Sequence, residues 1–142
     1  MKVKSTNVYL TYDGNCREAF EFYKQCFGGE LFLMKYSDGP GCEEAKLPPG
    51  SADRIMHAGL RNGAAMLMAS DAMPGHPFQQ GNNFSVTVSS DANEEVDKYC
   101  TAVSKGGAVT MAPQETFYAH RFAMCTDKFG INWMFIREKP MQ

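Results

Sequence analysis

No C-x-x-C pair occurs in the chain, and its five cysteines, Cys16, Cys26, Cys42, Cys100 and Cys125, are odd in number. That excludes a simple disulfide framework and reads as free thiols in a reducing compartment. No run of apolar residues approaches the ~20 needed to cross a bilayer, and the opening M-K-V-K-S-T-N-V-Y-L lacks an apolar signal core. A cytoplasmic protein with no membrane partner is therefore expected. Positive charge is not in excess: 14 Lys and Arg stand against 16 Asp and Glu, a net charge of −2. A dedicated nucleic-acid surface, which needs clustered Lys and Arg, is not expected. No Gly-rich loop follows a strand and opens a helix, so no nucleotide site and no cofactor are expected.

What remains is a chain of 142 residues, long enough to bury roughly two thirds of the surface it would expose unfolded, without a staple. Ten Met and ten Phe stand out. Met fills irregular gaps in cores, and it also lines forgiving apolar pockets.

The chain repeats itself. Asn7 to Phe32 reads NVYLTYDGNCREAFEFYKQCFGGELF, and Asn83 to Thr110 reads NFSVTVSSDANEEVDKYCTAVSKGGAVT. Each begins as a short alternating strand. Each continues through a polar turn with an N-cap candidate: Asn15 in the first, Asp91 or Asn93 in the second. An amphipathic helix follows, carrying Ala19, Phe20, Phe22, Tyr23 and Phe27 in one copy and Val96, Tyr99, Cys100 and Val103 in the other. Each helix ends in Gly-Gly, at Gly28-Gly29 and Gly106-Gly107, the residue type a helix stop accepts most easily. Each copy closes with a hairpin. The first turns at Asn62-Gly63 and the second at Asp127–Gly130. The predicted fold is α+β: two tandem β-α-β-β-β modules forming mixed curved sheets around a cleft. They make one domain, 1–142, with modules at 1–72 and 83–138, a linker at 73–82 and a loop inserted at 37–52. One such module leaves a sheet face bare, so a second copy, or a homodimer, is expected to cover it.

The groups that follow are more specific. Asp13-Gly14-Asn15-Cys16 precedes Ala19, Phe22 and Tyr23; His57-Ala58 lies in the third strand; Ser70-Asp71-Ala72-Met73-Pro74 follows the fourth. Then come Gln114-Glu115-Thr116-Phe117, Ala119-His120, Thr126-Asp127-Lys128-Phe129-Gly130 and Trp133-Met134. In this order, from Asn7 to Ile136, the chain resembles the vicinal oxygen chelate superfamily of glyoxalase, bleomycin-resistance and extradiol-dioxygenase proteins, and within it the PhnB-like branch. The resemblance implies the fold. In the metal-using members it also implies four metal ligands on the first and last strands of the two modules. Placed by the repeat, these positions fall near Val8, Leu67, Phe84 and Met134. None is a His or a carboxylate, the donors a divalent ion needs, so no metal site is expected.

Candidate site residues are few. His57 sits on an alternating strand, with Ile55 and Gly59 on its face, as a core histidine or as a cleft acid/base group. Glu115 and His120 lie five residues apart among aromatics, as a proton-transfer pair or as a loop pin, and a buried Glu115 would need a partner such as His120, Arg121 or a backbone amide. Tyr9, Met68, Phe117, Tyr118 and Trp133 are expected ligand walls, with Trp133 core or wall. Asp127 and Asp71 read as turn and strand-exit residues, and Cys125 as an inert thiol. The expected partner is a small organic molecule, met by metal-free acid/base chemistry or by non-catalytic binding. A metal-dependent lyase or dioxygenase is the third possibility, and a metal site made from His57, Glu115 and His120 would require those three to converge. Convergence of His57, Glu115 and His120 on one cavity would separate the first two.

Overall fold

The computed structural model describes residues 2–39, 43, 47–73 and 75–140. The elements run β1 (Tyr9–Tyr12), α1 (Cys16–Phe27), β2 (Glu30–Lys35), a 3-10 turn (Tyr36–Asp38), β3 (Ile55–Asn62), β4 (Ala65–Asp71), β5 (Val86–Ser89), α2 (Asn93–Val103), β6 (Ala108–Gln114), β7 (Ala119–Thr126) and β8 (Asn132–Glu138). This is the expected α+β arrangement of two tandem β-α-β-β-β modules. The chain divides into two compact units, Met1–Gln79 and Gln80–Gln142. Each owns a four-stranded mixed sheet, ordered β1-β4-β3-β2 in one and β5-β8-β7-β6 in the other. The first and last strands of each unit pair in parallel, and the other pairings are antiparallel.

In the first unit, α1 buries Cys16, Ala19, Phe20, Tyr23 and Cys26, a stripe at three- and four-residue spacing. Leu10 and Tyr12 of β1 and Ala58 and Leu60 of β3 are buried too, and Tyr12 and Tyr23 join hydroxyls at 2.8 Å. Each large side chain buried here contributes on the order of 2 kcal/mol. Asn15 precedes α1 but makes no side-chain cap. The Asp71 carboxylate does that work from the end of β4. It accepts from the N–H of Gly14 at 2.9 Å and of Cys16 at 3.0 Å on one oxygen, and from Ile55 N–H at 2.8 Å on the other. The β3–β4 turn is displaced by one residue from the expected Asn62-Gly63. Asn62 pairs with Ala65, so Gly63 and Ala64 form the two-residue loop, with Gly63 at φ 59°. That positive φ at the first loop position is what a primed turn requires. Asn62 is thereby free to donate to the Phe27 carbonyl at the end of α1.

The second unit repeats the plan with different caps. Ala92, rather than Asp91 or Asn93, flanks α2, its carbonyl accepting from Glu95 and Val96. Val96, Cys100 and Val103 are buried on α2, and the Arg121 guanidinium grips Asp97 with two bonds of 2.8 and 3.0 Å. The loop after β7 is organised by Asp127. Its carboxylate accepts from Phe129 N–H at 2.8 Å, Ile131 N–H at 3.0 Å and Trp133 Nε1–H at 2.9 Å. The structural roles read for Asp71 and Asp127 are thus seen directly. Of the inserted loop, Pro40–Cys42 and Glu44–Lys46 lie outside the described residues, as does Pro74. The loop's ends are held together by Tyr36 N–H on Arg54 and Ser37 N–H on Ala52.

Candidate functional site

The face of the first sheet turned away from α1 carries a continuous cross-strand row. Phe32 pairs with Gly59, Gly59 with Met68, and Met68 with Tyr9. His57, paired with Met34, stands beside it. The Tyr9 hydroxyl and His57 Nδ1 lie 3.1 Å apart, and the His57 ring is 5.8 Å from that of Tyr9 and 6.3 Å from that of Phe32. Tyr9 is 48% exposed and Phe32 53%. At the centre Gly59 has no side chain. A Cβ there would meet only the thioether of Met66, at 3.8 Å. The row is therefore a shallow trough walled by two rings and two Met side chains, with one polar pair. Three expected site residues, Tyr9, His57 and Met68, are brought together here; Phe32, Met66 and Gly59 complete the trough. Phe32 and Met66 could have been found by extending the alternation of His57 to neighbouring strands. Ile55 does not share the face of His57. A β-bulge at Met56, between the pairs Met34–His57 and Lys35–Ile55, breaks the alternation and turns Ile55 into the core.

No glycine occurs in β7 or β8, the corresponding hairpin of the second unit. Thr126 and Asn132 pair there, with their side chains hydrogen-bonded at 2.7 Å. Met124, paired with Met134, packs on the apolar cluster of Ala119, Phe122 and Ile136.

The remaining expected residues lie in the second unit. Glu115 is exposed and pairs with Lys139 at 2.9 Å. Neither His120, Arg121 nor a backbone amide is its partner. The Lys139 hydrogen bond and charge hold its carboxylate below the usual range, with His120 adding a smaller pull. Phe117 is 91% exposed and Tyr118 is half-exposed; their rings meet edge-on at 5.1 Å. Together with His120 they line a depression of about 730 Å³. Trp133, read as core or wall, is core: 1% exposed, stacked parallel to Phe135 at 6.1 Å, and bound through Nε1 to Asp127.

The family model of the glyoxalase/bleomycin resistance protein/dioxygenase superfamily matches residues 6–135. The chain belongs to this superfamily. It is 32% identical to Protein YjdN of Escherichia coli (strain K12) over 145 residues, covering 94% of this chain and 97% of the relative. Among solved structures, protein PA1353 from Pseudomonas aeruginosa shares 36% identity with a TM-score of 0.81, over 96% of this chain and all of that one (100%). A Bacillus cereus protein described as a putative 3-demethylubiquinone-9 3-methyltransferase, PhnB protein, is 21% identical with a TM-score of 0.73, over 94% and 99% of the two chains. That last likeness concerns the fold.

The residues present do not fit the superfamily's metal chemistry. The four repeat-placed positions carry Val8, Leu67, Phe84 and Met134. The Met134 side chain is packed against the apolar cluster of the second unit. Among the described residues no three His, Cys, Asp or Glu side chains come together in a group able to hold a metal ion. Alkyl, phenyl and thioether groups do not fit a hard or borderline divalent ion, so no step is derived through one.

Four described cysteines are free thiols and all are buried; Cys42 lies outside the described residues. Burial and the nearby Asp71 charge push the Cys16 thiol up to about 12. Iodoacetamide at pH 8 is expected to leave Cys16 unmodified in the folded protein and to label it fully after denaturation, as read by peptide mass spectrometry. The folded pKa lies above the ordinary value of 9.0. The corresponding stability is therefore intact below pH 9 and is lost as pH rises toward about 12, where the unfolded thiol ionises and the folded one does not. Labelling of native Cys16 at pH 8 would contradict this environment.

Proposed function

We infer that this superfamily member binds a small organic molecule with a flat, largely apolar body in the trough of its first sheet, using Tyr9 and His57 as the polar handle. The observation that carries the reading is the opening at Gly59, flanked by rings and thioethers and served by one Tyr–His pair. Aromatic walls and polarizable Met side chains accept flat apolar ligands of varied outline, and a single polar pair is enough to set orientation. The hairpin of the second unit has no glycine in either strand, so the trough is a departure within the repeat rather than a property of the fold. Sequestration without chemistry fits these groups. The reading includes a homodimer, in which a second copy would roof the trough, and a cytoplasmic location.

The same pair favours a second reading, proton transfer to the bound molecule. Tyr9 occupies Nδ1, which leaves Nε2 as the imidazole atom for a substrate proton. Glu115 has no part in it, because its carboxylate is committed to Lys139.

The test uses protein carrying ¹³C-labelled Met methyl groups, titrated with planar phenols such as 1-naphthol. Binding is expected to shift the Met66 and Met68 methyl signals. Gly59→Leu, at a position where an added Cβ meets only Met66 at ordinary contact distance and φ is not left-handed, should fill the trough and abolish those shifts while the protein stays folded. Shifts that survive Gly59→Leu would defeat the proposal. Catalysis, if found, must disappear in His57→Ala while binding persists; unchanged turnover removes the second reading.

A further inference from the structure

A second site stands on the other unit, built from different groups. Along β7 and β8, Ala119 pairs with Glu138 and Arg121 with Arg137. His120 is therefore an extra residue, a β-bulge facing no partner of its own. Bulges of this kind re-aim a side chain and recur beside binding sites. Here His120 lines two adjoining depressions. The first, of about 730 Å³, has Phe117 and Tyr118 as walls, with Ile136, Pro140, Glu138 and Lys139. The second, of about 400 Å³, is polar and includes Ser89, Ser90, Asp91 and Arg137.

The charges decide what the first depression accepts. The Lys139 ammonium donates to the Glu115 carboxylate at 2.9 Å and to the Thr116 carbonyl at 2.8 Å. Those two opposite charges cancel. Glu138 has no ion-pair partner among the described residues. In the neighbouring depression, which Glu138 also lines, Asp91 and Arg137 bring one charge of each sign, and Arg137 donates to Asn93, the first residue of α2. What is left uncompensated is one carboxylate next to two perpendicular aromatic rings. A ring face attracts a cation through its quadrupole, and a carboxylate attracts it by charge.

We propose that this groove binds an organic ammonium ion with an apolar or aromatic body, its cation held between Glu138 and the Phe117–Tyr118 corner and its body lying on Ile136 and Pro140. The site is independent of the trough on the first sheet, and either can fail without the other.

The test is an amide NMR titration of the full chain with phenethylamine, and in parallel with its neutral analogue 2-phenylethanol and the anion 3-phenylpropionate. The amine is expected to shift Tyr118, His120 and Glu138, with the alcohol about fivefold weaker and the anion weaker still. Glu138→Gln should cost about fivefold for the amine and nothing for the alcohol. Phe117→Ala, at a side chain too exposed to affect folding, should weaken the amine by a similar factor. Glu21→Gln, at an exposed carboxylate on α1, should leave both unchanged. Equal affinity for amine and alcohol, amine binding indifferent to Glu138→Gln, or no shift at these residues at millimolar amine would each overturn the proposal.

Discussion

Asp71→Ala is expected to destabilise the protein by about 3–5 kcal/mol, enough to lower the midpoint of thermal unfolding by about 10 °C or more. The Asp71 side chain is fully buried, and its two oxygens hold three backbone N–H groups from separate segments: Gly14 and Cys16 at the start of α1, and Ile55 at the start of β3. Removing it leaves the buried N–H groups of Cys16 and Ile55 and the part-buried one of Gly14 without acceptors, each buried one costing roughly 1–3 kcal/mol before any water enters. Asp71→Asn should cost about half as much. The amide can keep its oxygen on Gly14 and Cys16, but it turns an N–H₂ toward the Ile55 N–H. Urea unfolding of the wild type and both variants measures this. A loss under 1 kcal/mol in Asp71→Ala would mean that the carboxylate is not the joint described.

Gly107→Ala is expected to cost about 3 kcal/mol or more, and to be worse than Gly106→Ala. Backbone dihedrals alone would rank them the other way, because Gly106 is the one at positive φ, 83°. A Cβ on Gly106 meets only Lys128, at 3.2 Å from its Cβ and 3.3 Å from its Cδ, a contact relieved by a few tenths of an ångström, so its cost is mainly the left-handed penalty of about 1–2 kcal/mol. A Cβ on Gly107 would collide with the Thr126 carbonyl oxygen and lie 2.8 Å from the Asp127 carbonyl carbon. Backbone cannot step aside without moving the loop whose Asp127 carboxylate holds Trp133. Gly29 is held against the Arg61 carbonyl in the same way in the first unit. Calorimetric unfolding of the two alanine variants decides the order, and a milder Gly107→Ala would refute the close-approach argument.

These glycines show how far the sequence could be read. Gly-Gly was legible as a helix stop, because the need for positive φ at a helix end is local. The reason for the second glycine was not, since it is the approach of a strand from the following hairpin. The same boundary runs through the site. That His57 lies on an alternating strand could be read, but not which face it takes, and the bulges at Met56 and His120 could not, because a bulge is defined by the register of the partner strand. Glu115 was expected to look to His120 or Arg121 for a partner. It found Lys139, which the β7–β8 pairing folds back beside it, while Arg121 went to Asp97 on α2. Asn15 looked like a cap and was superseded by Asp71, a charged acceptor that reaches the same N–H groups from another strand.

By itself, then, the sequence determined the doubled β-α-β-β-β order, the superfamily, and the lack of His or carboxylate at the four metal positions. Period, turn chemistry and residue type are properties of short stretches of chain. Only the tertiary structure decided that Gly59 lies between Phe32 and Met68 in one cross-strand row, that Tyr9 meets His57 across 48 residues, and that Glu138, without a counter-ion among the described residues, lies beside two rings. Those depend on which strands lie side by side and in what register, and pairing energy summed over whole sheets sets that, not any one segment.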